Sequence, residues 1–421
     1  MTTSLRTAFF AALLVVLGLA PTGIVPAAAT AQDLVREGNR YVRTVTKTFE
    51  VGPGGTLDIQ TSGGPIHVVG SDRQSVEIEE TIGIRSRDRD DAASAIREAA
   101  VEYEVSGTTL VVRTPRDRFR RSVMWEFDVR VPRRFTVNAA TSGGPVTVEQ
   151  IEGAVDARTS GGPITASDIT GPADVRTSGG PIDLTNVSGS ATASTAGGPI
   201  RAERIGGRLE AKTAGGPIEV RDVGDDARVK TSGGGIQAEN VRGDLEAVTS
   251  GGDIEVVDVG GSVRAVTSGG DVDLASIGGA VEARTSGGDI EGQDFGGRVT
   301  AETRAGDIEL TGVAAGIDAQ TAVGDIEVEM TGTGSEMSMF DTSHGDVELI
   351  MPSTVAADLD IEVTSDWGGR IDRDDIMSAF PVTLEAERNG NLLRATGSLN
   401  GGGPTIRIRT RGGSVELREG E

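Results

Sequence analysis

The residues with the clearest chemical potential in this chain are acids set in a rhythm. Asp253, Asp271, Asp289, Asp307 and Asp325 recur at intervals of 18 residues, and Glu255, Asp273, Glu291, Glu309 and Glu327 follow each of them by two. If equal units stack on one another, equal positions lie one strand spacing apart, about 5 Å, and the acids form two parallel columns. Carboxylates that close repel unless their pKa values rise or cations intervene. One expectation is therefore a row of cation sites along Asp253, Asp271, Asp289, Asp307 and Asp325. Ca²⁺ is the natural candidate for such oxygen-only ligands, and no other cofactor is expected. The other expectation is that an Asp after Gly-Gly caps its turn through its own backbone N–H groups while salt screens the charge. The calcium-binding nonapeptide G-G-x-G-x-D is absent.

A second group is basic. Arg113, Arg116, Arg118, Arg120 and Arg121, then Arg130, Arg133 and Arg134, surround Trp125 and Phe127. Arg116, Arg118, Arg120, Arg121 and Trp125 form a candidate ligand patch for an anionic polysaccharide or lipid headgroups. The same charges also suit a solvated loop or internal counter-charges for nearby acids. The two histidines, His67 and His344, read as surface residues. A polysaccharide-active site needs acids gathered with a base in a cleft built by long loops. Acid pairs repeated evenly from unit to unit describe a surface, so no catalytic residue is assigned and no enzyme is expected.

The element that must position these residues is a short repeat. T-S-G-G-P-I or a close variant starts at Thr141, Thr159, Thr177, Thr195, Thr213, Thr231, Thr249, Thr267, Thr285, Thr303 and Thr321. A copy at Thr342 comes three residues late, and outlying copies begin at Thr61 and Thr410. Numbered from its threonine, the unit is apolar at positions six, eight, eleven, fifteen and seventeen, with polar residues between, which marks half-buried strands. Position thirteen is usually Gly. The paired glycines at positions three and four read as turn residues that supply backbone freedom where φ may be positive. Units this small bury a core only by stacking. The predicted fold is all-β: a single-stranded parallel β-solenoid (β-helix) with 18-residue coils, about 50 Å long for eleven coils. Parity places the threonines inward as a structural spine. Near-constant Ala or Val at position seventeen brings the two sheets close, so a core with only 3% aromatic residues in the chain suffices.

Around the repeat the sequence divides into four parts. Residues 1–31 read as a signal peptide: Arg6, an apolar run, and Ala29-Thr30-Ala31 before a cut at Gln32. Residues 32–138 read as an N-terminal α+β cap containing the first coil. The cap has a short helix over 90–100 capped by Asp91, a hairpin from Val101 to Arg113, and Trp125, Phe127, Val129 and Val131 alternating toward Pro132. Residues 139–330 form the regular solenoid, and 331–421 are irregular coils of the same solenoid, closed by two coils from L-N-G-G-G-P onward. The chain has no cysteine, so neither a disulfide framework nor a lipid-anchored cysteine is available. Its formal net charge of −24 argues against nucleic acid as a partner. No segment after the leader has the length and apolarity of a membrane span.

With these phrases assembled, the chain resembles the bacterial putative-adhesin family of exported β-solenoids of unknown function. The carrying features are F-E-V-G-P-G-G-T-L-D-I-Q-T-S-G-G-P-I-H-V from Phe49, Val131-Pro132, the repeated T-S-G-G-(P/D)-I, and G-S-L-N-G-G-G-P-T-I-R-I-R-T from Gly397. The resemblance implies an exported β-helix, periplasmic, surface-associated or secreted, and carries over no catalytic residue. The expected function is an adhesin-like structural rod presenting a repetitive surface to glycans or envelope proteins. The alternative is a periplasmic scaffold or sensor that binds a protein partner through its cap.

Overall fold

A computed structural model describes residues 28–115, 123–365, 371–387 and 391–420. The expected leader lies almost wholly outside these residues. The chain divides into two compact units, residues 1–162 and 163–421, each built from parallel β-solenoid coils as the sequence predicts.

In the second unit each regular coil contributes one six-residue strand, such as Ile164–Ile169, and one four-residue strand, such as Ala173–Arg176. Like strands pair in parallel at an 18-residue offset, Ile182 with Ile200 and Ala191 with Leu209, so two sheets face each other across the core. The inward side chains are those of positions six, eight, eleven, fifteen and seventeen; Ile200, Ala202, Ile205, Leu209 and Ala211 are each buried.

Positions eight and eleven are three residues apart, which strict alternation does not allow. Position ten resolves this. Asp168, Asn186, Arg204, Asp222, Asn240, Asp258, Ser276 and Asp294 all have φ between 56° and 62°, and Gly312 in the next coil has φ 70°. Each is skipped in the strand register, where Thr185 pairs with Glu203 and then Val187 with Ile205. One left-handed residue per coil is thus a bulge that turns position eleven back inward. Asp and Asn tolerate this conformation better than other non-glycine residues, which accounts for their frequency here.

The glycines act differently from the sequence expectation. Gly198, Gly216, Gly252 and Gly270 at position four do not have positive φ. A Cβ on any of them would drive into the carbonyl oxygen of the position-four glycine one coil earlier. Close backbone approach makes Gly necessary there, and in the late coils φ is positive as well, 146° at Gly324 and 158° at Gly345.

The threonines face inward as parity predicts. Each Oγ1 donates to a position-four carbonyl one coil back: Thr213 to Gly198 at 2.9 Å, Thr249 to Gly234 at 2.8 Å, Thr285 to Gly270 at 2.8 Å. The late copy keeps the spine, with Thr342 donating to Gly324 at 3.0 Å. Its slip is absorbed by the irregular segment 331–337.

The end of this unit is not laid down in chain order. Strand Thr405–Arg411 lies parallel to and between Ser338–Thr342 and Ala357–Thr364. Val415–Gly420 likewise lies between Val347–Pro352 and Ile376–Ser378. Thr410 therefore stands next to Thr342 in the spine. The two closing coils expected from sequence are one inserted coil; Leu392–Leu399 instead pairs antiparallel with Ala357–Thr364.

The first unit shows the same device. The coil formed by Thr56–Thr61 and Ile66–Ser71 lies between strands Thr109–Arg113 and Val123–Pro132 on one side and Thr136–Thr141 and Val146–Ile151 on the other. Thr61 accordingly pairs with Thr141. Beside this coil, Arg40–Phe49, Val76–Arg85 and Val123–Pro132 form an antiparallel sheet. The α-helix Arg89–Glu98 is capped by Asp88, which accepts from the N–H groups of Asp90 and Asp91, so the cap lies three residues before the expected Asp91. The hairpin of Glu102–Ser106 and Thr109–Arg113 forms as predicted.

One coil departs from the consensus in a compensated way. Position eight is Gly292, and position eleven is Phe295, buried where other coils carry Ile or Val. A Cβ at Gly292 would lie 2.5 Å from Phe295 Cζ and 2.8 Å from the Leu274 carbonyl oxygen. Gly292→Val should therefore destabilise by about 1–3 kcal/mol through overpacking. Gly292→Val with Phe295→Ile, which restores the consensus pair, should recover most of that loss in a denaturant titration.

Candidate functional site

The chemistry-bearing side chains of the second unit lie in columns. At position five, Asp carboxylates accept the backbone N–H of the equivalent residue one coil on. Asp253 Oδ1 accepts from Asp271 N–H at 3.1 Å, Asp271 from Asp289 at 2.9 Å, Asp289 from Asp307 at 2.8 Å and Asp307 from Asp325 at 2.7 Å. Asp325 and Asp346 continue the series to Asp346 N–H and Ser414 N–H. In earlier coils Pro181, Pro199 and Pro217 occupy this position and have no N–H to satisfy. Each Asp thus caps the next coil, where the sequence expectation had it capping its own turn. Among the described residues no group of three or more His, Asp or Glu side chains is arranged to hold a metal ion.

Position seven has no such backbone task. Glu255, Asp273, Glu291, Glu309, Glu327 and Glu348 are register neighbours on the outer face of the six-residue strands. Burial beside one another's charges holds Asp273, Glu291 and Glu327 above the usual carboxylate range. In each case desolvation is the largest cause, followed by neighbouring acids. Arg418 meets the column at its far end, 2.6 Å from Glu348. Beside the acids lies a shallow groove of about 310 Å³ floored by Val257, Ala275 and Gly292.

The outer face of the four-residue strands has the opposite character. Its position-sixteen column runs Glu210, Arg228, Glu246, Arg264, Glu282, alternating in sign. Arg228 pairs with Glu246 at 2.6 Å, Lys230 with Glu246 at 2.7 Å, Arg264 with Glu282, and Arg284 with Glu302 at 2.7 Å. A hydrogen bond from Lys230 holds Glu246 below the usual range, and one from Arg284 does the same for Glu302. This face pairs its acids with cations, whereas on the other the acids from Asp273 to Glu327 stand beside one another and Arg418 meets the column at Glu348.

Of the candidate patch in the first unit, Arg116, Arg118, Arg120 and Arg121 lie outside the described residues. Trp125 is 5% exposed, and its Nε1–H donates to the Ala99 carbonyl at 3.2 Å. The ring is a core element beside the helix and presents no outward stacking surface. Neighbouring arginines meet acids of the same unit: Arg113 with Asp58, Arg130 with Glu77 at 2.8 Å, and Arg133 with Asp72 at 3.0 Å. His67 Nδ1 lies 3.1 Å from Asp128 Oδ1 with both side chains nearly half exposed.

A buried polar cluster in this unit escaped the sequence reading. Glu80 is 2% exposed; Lys47 Nζ lies 2.8 Å from its Oε2, and the Tyr103 hydroxyl donates to the same oxygen at 2.6 Å. Tyr103 stacks on Phe49, with Lys47 Nζ 3.9 Å from the Tyr103 ring centroid. Burial pushes the Tyr103 hydroxyl far up and, outweighing the attraction of Glu80, draws Lys47 down. The signal was present in Val76, Ile78, Glu80, Ile82 and Ile84, an apolar alternation with an acid at its centre.

No protein-family model matches the chain, and no curated protein matches it. Among solved structures, a "putative adhesin" from Bacteroides fragilis is 14% identical, with 63% of this chain and 96% of that one covered at a TM-score of 0.28. A "putative cell adhesion protein" from Clostridium sporogenes is 8% identical over 90% and 98% of the two chains, at a TM-score of 0.16. A "Putative lipid binding protein" from Parabacteroides distasonis is 10% identical over 90% and 97%, at a TM-score of 0.20. At TM-scores this low the likenesses carry no argument about what the present chain binds.

Two outcomes follow from the charge arrangement. Asp273, Glu291 and Glu327 have folded-state pKa values above their unfolded ones, so the folded chain binds more protons in the window between the two, and their contribution to stability rises as pH falls through it. Glu246 and Glu302, shifted down, lose their contribution only as pH falls below the ordinary carboxylate range. Glu291→Gln should stabilise by about 0.5 kcal/mol in neutral, low-salt buffer, with the gain shrinking in thermal melts as salt is added. In the buried cluster, Lys47→Met should cost about 3 kcal/mol by leaving Glu80 unpaired. Lys47→Met with Glu80→Leu and Tyr103→Phe should restore most of it in the same denaturation assay.

Proposed function

We propose that this chain is a non-enzymatic, adhesin-like structural element, exported to the cell envelope or beyond, that presents repetitive side-chain columns to glycans or partner proteins. The observation that supports this most is the run of position-seven acids from Glu255 to Glu348. The fold uses the position-five acids as caps and the position-sixteen acids as ion-pair partners, but it engages this column mainly at its ends, through Gln237 at Glu255 and Arg418 at Glu348. A row of like charges at about 4.8 Å spacing costs stability, and its repetition gives a partner many equivalent contacts at once. The complementary partner is cationic: a glycan bearing free amines, or a protein surface rich in Lys and Arg. Divalent cations such as Ca²⁺ belong to the same reading, as bridging ions between the acidic columns and an anionic glycan. Among the described residues no helix is long and apolar enough to cross a membrane.

The test is binding of the purified chain to an array of glycans and basic proteins, at low and high salt, with and without millimolar Ca²⁺. Saturable binding that weakens with salt and falls at least about tenfold in Glu255→Gln/Glu291→Gln/Glu327→Gln is expected. Silence under all conditions, or binding indifferent to those substitutions, would remove the acidic column from the function.

A further inference from the structure

We propose that residues 405–420 are an exchangeable coil, and that two copies of this chain join by each inserting this coil into the other. The inserted strands Thr405–Arg411 and Val415–Gly420 occupy a gap one coil wide, with Ser338–Thr342 and Val347–Pro352 on one side and Ala357–Thr364 and Ile376–Ser378, which come next in the chain, on the other. The chain leaves this gap open on its first passage and fills it on its return.

Everything that holds the insert is a contact across its two ladders. Ile406, Ile408, Val415 and Leu417 are buried in the core. Thr410 Oγ1 donates to the Gly345 carbonyl at 2.7 Å, and Ser414 N–H and Oγ both donate to Asp346 Oδ1, at 2.6 and 3.0 Å. Arg407 meets Asp360 at 2.9 Å and Arg418 meets Glu348 at 2.6 Å. None of these interactions requires the insert to belong to the same chain, and the same residues of a second copy reproduce every one. That match in charge, spine and cap selects a second copy over any other occupant.

The covalent link has the character of a hinge. Asn400–Pro404 carries the chain across strand Ala357–Thr364, from its antiparallel neighbour Leu392–Leu399 to its parallel neighbour Thr405–Arg411. Asn400, Gly401 and Gly402 have φ of 49°, 94° and 84°, three successive residues in the left-handed region. The closed turn is pinned by Asn400 Nδ2, which donates to the Ser353 and Val355 carbonyls at 2.8 and 2.7 Å, while the two glycines leave the connection free to extend so that the coil passes to a neighbour. The chain has no cysteine, so no disulfide pins the insert in place.

The experiment uses full-length chains carrying one cysteine each. Asp341 and Arg409 are register partners across the slot. D341C and R409C chains are mixed at high concentration, oxidised and digested. The expected product is a covalent dimer whose linked peptides join residue 341 of one chain to residue 409 of the other, growing with protein concentration. A mixture that stays monomeric, or dimers joined only 341 to 341 or 409 to 409, would overturn the proposal. Gly402→Ala then tests the hinge, because a side chain at that left-handed position strains only the closed turn and should raise the dimer fraction roughly tenfold. An unchanged fraction would remove the turn from its role, and the cross-link result stands whether or not this variant folds.

Discussion

The corner where threonine and glycine of successive coils meet is the constraint on which the rest of the second unit depends. The position-four backbone of one coil approaches that of the coil before it so closely that a methyl group cannot fit. The carbonyl at that point would be left without a partner if the threonine did not reach it from the next coil, at 2.8–3.0 Å in the regular repeats. A buried carbonyl without a donor costs free energy comparable to a lost hydrogen bond, so the threonine is as necessary as the glycine. Fixing this corner fixes the coil length, because each strand must return the chain to the same point. It also sets the sheets close together, which is why Ala211, Ala247 and Ala265 fill a core that larger side chains would force apart.

The same corner presents a second problem, the N–H at position five. Proline removes the donor and aspartate supplies an acceptor, and the chain uses proline in its early coils and aspartate in its later ones. These solutions are equivalent for hydrogen bonding but not for charge. The aspartate coils place an anion beside each position-seven acid, and the Asp271 and Asp289 charges add to the desolvation that shifts Glu291. Choosing glutamate at position seven in those coils compounds a repulsion that glutamine would avoid.

Much of this architecture was legible in the sequence, since strand number, facing and the threonine spine all follow from an 18-residue period with fixed apolar positions. Three features were not, for different physical reasons. The left-handed residue at position ten leaves only a statistical trace, a preference for Asp and Asn, and Arg204 and Ser276 adopt the same conformation against that preference. The inserted coils depend on contacts between segments far apart in sequence, such as Thr342 with Thr410 and Thr61 with Thr141, which no local pattern encodes. The out-of-phase T-S-G-G-P-I at Thr61 and T-R-G-G-S-V at Thr410 were the visible residue of that topology. Trp125 differs for a third reason: its arginine-rich flanks drew it into a candidate ligand patch, whereas its place in the alternation with Phe127 and Val129 turns the ring into the core.

Repetition usually gives both faces of a solenoid the same history, so a difference between them needs a cause. On the four-residue strands, Arg228 pairs with Glu246 and Arg264 with Glu282, and hydrogen bonds from Lys230 and Arg284 hold Glu246 and Glu302 below the usual carboxylate range. On the six-residue strands of the same coils, Glu255 through Glu348 never alternate with a cation, although Arg201 beside Glu219 shows that this face accommodates such a pair earlier in the unit. The geometry of the two columns is alike, one residue per coil at one strand spacing. The fold therefore permits neutralisation on both faces, and its absence on one is a property of the sequence beyond what folding requires. Charge held at a cost to stability, with a cation met only at the far end of the column, is the character expected of a surface that something else must meet.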